Sequence, residues 1–181
     1  MKKLLALLLL VTMFSCDNKE IVTNDEDFKI QYIDPFIELA EGYNVHINYY
    51  PVNIEYVNVL PYDGEDVAGL ADWESLTIYF NTSHEYWNSD AREVLIYHEL
   101  AHYFLSKVHI DESVSCDVPF SFMSLWSAEK SPTQFEYWTS GEWRNMKEYY
   151  MKELFNGSHV WKEYPQHEDI LSHDIASPCW N

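Results

Sequence analysis

The sequence predicts an α+β domain, with short strands in its first half and its main helices from residue 90 onward. Three observations predict it. Between residues 45 and 80, apolar and polar residues alternate in short runs bounded by Pro, Gly and Asp. Residues 90–105 contain no Gly or Pro, and Val94, Leu95, Ala101, His102 and Leu105 recur at helical spacing. Trp143, Met146, Tyr150 and Leu154 repeat such a stripe further on. A chain of 181 residues is long enough to bury a core, and 14 Tyr, 9 Phe and 7 Trp mark it as folded rather than disordered.

The elements follow in order. Asp34 as N-cap and Pro35 at the first helical position predict a short helix that stops at Gly42 and Asn44. Two alternating runs come next, Val45 to Tyr49 and Val52 to Leu60, separated by Pro51. Val67–Trp73 and Leu76–Phe80 predict a hairpin across Glu74 and Ser75. Asn88, Ser89 and Asp90 offer caps to the next helix, where Asp90 and Glu93 have capping-box spacing. That helix is expected to end near Lys107. Thr139-Ser140-Gly141-Glu142 reads as a second capping box, and Gly157 as the residue closing the helix it opens.

The central helix carries His98-Glu99-Leu100-Ala101-His102. Histidines four apart lie one turn apart on one helix face and can grip one metal ion from the same side. The glutamate beside the first histidine can act as general base on water at that metal, so the spacing implies metal-assisted hydrolysis. A shuffled chain with the same 8 His and 18 Glu would hold about 0.03 such motifs. A catalytic zinc usually takes three protein ligands. His109, seven residues after His102, is the best candidate for the third if the chain turns back after the helix. Asp111, Glu112, Glu129, Glu136 and Glu142 compete for that role. His84-Glu85 has no histidine four residues on, and His159, His167 and His173 read as surface residues.

These residues resemble the zincin metallopeptidases, and most closely the metzincin-like variants with a third histidine. The metzincin pattern is H-E-x-x-H-x-x-G-x-x-H followed by a Met-turn. Here Leu105 stands in the glycine position and His109 comes one residue late. Pro119 to Trp126 resembles a Met-turn with Met123 as its methionine. The resemblance covers about residues 45–126. It implies a small amino-terminal mixed sheet packed on the active-site helix, followed by a mainly helical carboxyl-terminal part. It also implies one zinc ion on His98, His102 and His109, Glu99 as general base on a zinc-bound water, and endopeptidase action on an extended peptide or protein paired with an edge strand.

The amino terminus reads as a signal. Lys2 and Lys3 precede the apolar run Leu4–Phe14, which is too short to span a bilayer as a retained helix. Met13-Phe14-Ser15-Cys16 resembles a bacterial lipobox. The expected organisation is a signal peptide over 1–15, a lipidated Cys16 and tether over 16–27, and a single zincin-like domain over 28–181. The expected location is the cell envelope, with membrane attachment through lipid on Cys16. The full chain has a formal charge of −19. That balance argues against nucleic acid and against electrostatic attraction to anionic lipid. In an oxidising compartment the remaining pair, Cys116 and Cys179, predicts a disulfide worth about 4 kcal/mol of loop-closure entropy; zinc ligation by Cys116 is the alternative. Two other functions compete with peptide hydrolysis: a non-catalytic surface lipoprotein binding a protein or glycan over a structural or vestigial zinc site, and a non-peptide amidase.

Overall fold

The computed structural model describes residues 25–48, 50–110, 119, 121–124 and 132–157. The fold over these residues is α+β, a small mixed sheet with helices on it. Cys16, Asp111, Glu112, Cys116, Glu129, His159, His167, His173 and Cys179 lie outside the described residues. No described helix is long and apolar enough to cross a membrane.

The first helical segment starts earlier than Asp34. Asp25 caps it, its carboxylate accepting from Phe28 N–H at 2.8 Å. The chain then runs through α1 (Glu26–Phe28), a π-helical stretch (Lys29–Ile33) and α2 (Asp34–Gly42). Asp34 is therefore inside the helix and not its cap. The wide turn before Pro35 explains how proline is tolerated there, since its missing N–H and bulky ring disrupt an ordinary α-turn. The helix begins within the stretch expected to be tether. Its end is as expected: Asn44 adopts φ 60°, and Val45 N–H reaches back to Ala40 O at 2.9 Å.

Residues 45–48 form no strand, because the segment serves as the helix exit and buries Ile47 as an isolated plug in the core. The Val52–Leu60 run yields β1 (Asn53–Val57). Asp63 and Gly64, both left-handed, turn the short pair β2 (Pro61–Tyr62) and β3 (Glu65–Asp66). The expected hairpin is β4 (Gly69–Asp72) and β5 (Thr77–Asn81), its loop held by the Asp72 carboxylate accepting from Glu74 N–H and Ser75 Oγ, each at 2.8 Å. β5 lies between parallel β1 and antiparallel β4, which leaves β4 at an edge.

The central helix is α3 (Arg92–Leu105). It is buried on most sides, from Val94 through Ala101 and at Tyr103 and Phe104. The sheet covers one flank. On the other, Phe36 of α2 packs edge-on to Tyr97 and against Phe155 of the helix Lys147–Asn156, centroids 5.3 Å apart in both cases. The Asp90–Glu93 capping box does not form, because Asp90 pairs with Arg144 at 3.1 Å and Glu93 with Lys147 at 2.8 Å. The Thr139 box does not form either. That residue ends α4 (Pro132–Thr139), its hydroxyl donating to Phe135 O at 2.9 Å. After Gly141 comes a 3-10 turn (Glu142–Met146) and then α5 (Lys147–Asn156), closed by left-handed Gly157. Trp143, Met146, Tyr150 and Leu154 are all buried, as their spacing predicts.

Candidate metal centre

His98 and His102 sit one turn apart on α3, and the third histidine reaches them because α3 stops two residues before Lys107. Ser106 adopts the left-handed conformation (φ 52°), and Lys107 N–H turns back to Ala101 O at 3.2 Å. This reversal carries His109 over the end of the helix. The three Nε2 atoms then converge. His98 lies 3.0 Å from His102 and 3.1 Å from His109, and His102 lies 3.0 Å from His109. The group grades from buried His98 through half-buried His102 to exposed His109, so one side of it faces solvent.

The outer ring nitrogens decide what these contacts mean. His98 Nδ1 lies 3.1 Å from Phe122 O, and His102 Nδ1 lies 2.7 Å from Lys107 O. A carbonyl only accepts, so each Nδ1 donates, and in a neutral ring the Nε2 is then a bare lone pair. Burial holds the His98 pKa well below the ordinary value, with His102 and His109 adding to the effect; burial also lowers His102, against the pull of the Lys107 carbonyl. Two neutral imidazoles therefore face each other at 3.0 Å with no proton between them, a repulsive contact unless a cation fills it. A triangle of this size places its centre about 1.8 Å from each nitrogen, within reach of the zinc–nitrogen distance of about 2.0 to 2.1 Å that the three rings would offer an ion. The residues fit a metal ion. Glu136 and Glu142 are exposed and stand outside the cluster.

Glu99 is 5% exposed, and burial pushes its carboxyl up to about 8 despite a backbone hydrogen bond from Ala71. The sheet register explains that bond. Asn81 N–H donates to Ala68 O, so hydrogen-bonded positions alternate as 68, 70 and 72. Gly69 and Ala71 thus direct their N–H and C=O groups to the free edge of β4, where Ala71 meets Glu99. A Cβ on Gly69 would lie 2.6 Å from Glu99 Oε1, so only glycine permits this approach.

Met123 is buried in a short turn over residues 121–124, which meets the cluster through the Phe122 carbonyl on His98. Three contributors were invisible to spacing: the Phe122 and Lys107 carbonyls, the Gly69–Ala71 edge, and Glu153, a lone carboxyl inside the α5 apolar face. Only Glu153 left a signal, a charge next to Leu154 in an otherwise aromatic and aliphatic stripe. No family model, curated protein or solved structure matches the chain.

Proposed function

We propose that this chain is a zinc-dependent peptide hydrolase of the zincin type, carried on a bacterial envelope lipoprotein anchored at Cys16. The observation that carries the proposal is the convergence of three Nε2 atoms at 3.0–3.1 Å, two of them fixed as lone pairs, with buried Glu99 on the same helix. His98, His102 and His109 would hold the ion. Zinc there would supply Lewis-acid polarisation of an amide carbonyl and would acidify water.

The chain's own groups do the rest. The Phe122 and Lys107 carbonyls hold the first two imidazoles in their metal-accepting tautomer. Glu99 Oε takes a proton from the attacking water and returns it to the leaving amine nitrogen. A raised pKa near 8 suits that exchange, since the group can both accept and release a proton around neutrality. β4 lies at an edge of the described sheet with the Gly69 and Ala71 backbone groups turned away from β5; Glu99 takes the Ala71 N–H, and the carbonyls on that edge favour an extended peptide.

The test is metal dependence. Chelator-treated protein should lose cleavage of a quenched fluorescent peptide library and regain it with one equivalent of zinc. Cleavage that survives full metal removal would overturn the proposal. A second reading, a non-catalytic binder of glycan or protein, draws on the exposed rings Tyr50, Tyr56, Tyr62 and Trp73. It predicts glycan or partner binding that Trp73→Ala removes, with no hydrolysis at any zinc level.

A further inference from the structure

The turn over residues 121–124 touches the neighbourhood of two histidines. Phe122 O accepts from His98 Nδ1, and Met123 O accepts from Ile110 N–H at 2.9 Å, beside His109. Within the turn, Ser121 Oγ accepts from Met123 N–H at 3.0 Å, and Ser124 Oγ donates to Ser121 O at 2.8 Å. The turn is fastened to the fold by α5. Glu153 accepts from Ser121 Oγ at 2.9 Å on one carboxyl oxygen and from Phe122 N–H at 3.2 Å on the other. One turn earlier, Tyr150 OH donates to Pro119 O at 2.9 Å.

Burial alone does not account for a glutamate here. Glu153 is 3% exposed and Ser121 fully buried, and Tyr150, Met151, Leu154 and Phe155 of the same helix are buried as well. An apolar residue would fill that space without the desolvation cost of a carboxyl. What glutamate adds is direction: one oxygen holds the Phe122 N–H, the other holds the Ser121 hydroxyl, and the Phe122 carbonyl bonds the His98 ring.

Resting on the metal reading above, we infer that Glu153 is a positioning residue of the metal centre, acting on His98 through Phe122 and on the approach of His109 through Met123. Only two hydrogen bonds and one residue separate the carboxyl from the His98 ring. Loss of a partner bonded directly to a metal-binding histidine lowers metal affinity about 10- to 100-fold; Glu153 stands one residue further out, so its loss should cost less, up to about 10-fold.

The experiment measures zinc affinity against a chromophoric chelator, and the absorption spectrum of bound Co²⁺, for the full chain and for Glu153→Gln, Ser121→Ala and His98→Ala. Glu153→Gln keeps shape but turns an NH₂ toward one of two donors. It should bind zinc more weakly, by up to about 10-fold, and change the cobalt spectrum, with metal-free circular dichroism unchanged. Ser121→Ala should shift both readouts in the same direction, and it decides the matter if the glutamine variant does not fold. Wild-type affinity and spectrum in the variants would overturn the inference, as would a lowered metal-free melting temperature with an unaltered cobalt spectrum. A wild-type chain that takes up no zinc would overturn the metal reading itself, and this inference with it.

Discussion

Gly69→Ala separates the placing of the base from the holding of the metal. The added Cβ would sit 2.6 Å from Glu99 Oε1, 2.7 Å from Cγ and 2.8 Å from Cδ. Such contacts relax near about 3.5 to 4.0 Å, so the Glu99 carboxyl must retreat by about 1 Å. Gly69 does not use a left-handed backbone, and alanine in a strand is favoured over glycine by about 0.5 to 1 kcal/mol. Displacing a buried side chain costs about 1 to 3 kcal/mol and outweighs that gain, so the variant should unfold at a somewhat lower urea concentration and still bind zinc normally. A misplacement of about 1 Å at a reacting group costs about 100-fold in rate, so kcat/KM on a cleaved peptide should fall by about that factor. A readout independent of turnover is the Glu99 carboxyl titration in the metal-free protein, followed by ¹³C NMR. Burial is the larger cause of the raised pKa and the Ala71 bond opposes it, so displacement toward solvent should move the value down from about 8 toward the ordinary carboxyl range. Full activity together with an unchanged titration would refute the close packing of Glu99 on the β4 edge.

Glu99→Gln should change how the metal-free chain responds to pH. A carboxyl pKa raised from 4.5 to about 8 means the folded chain holds this proton more tightly than the unfolded one. That stabilisation is complete below about pH 4.5 and is lost as pH rises through about 8. Relative to the glutamine variant, the wild type should lose up to a few kcal/mol over this window, at about 1.4 kcal/mol per unit; parallel urea stabilities across the window would count against the buried carboxyl. His109→Ala removes an exposed ring, so metal-free stability should change by less than about 0.5 kcal/mol. Its zinc affinity should fall by more than the roughly 10- to 100-fold expected for a lost outer partner, and a near-wild-type titration would exclude His109 as ligand.

Local signals were legible and long-range ones were not. The α3 helix, the β4–β5 hairpin and the Gly157 stop follow from periodicity and turn chemistry within a few residues. His109 was readable because seven residues suffice for one reversal at Ser106. The caps at Asp90 and Thr139 were misread because distant partners and a preceding helix claim those side chains. The Val45–Tyr49 alternation suggested a strand, yet residues 45–48 lead out of α2 and bury Ile47 without joining the sheet. Pro35 suggested a helix start because the π-helical turn that admits it has no simple sequence signature. Glu153 bonds across 31 and 32 residues to a turn whose own sequence says nothing of α5.

The central claim is that His98, His102 and His109 hold a zinc ion for hydrolysis by Glu99. Its most direct test is digestion of a peptide library by zinc-loaded wild type and by zinc-loaded Glu99→Ala, with one zinc per chain verified in each by native mass spectrometry. Cleavage by the wild type and none by the variant is the predicted result. Equal cleavage by both, or none by a fully loaded wild type, would contradict it.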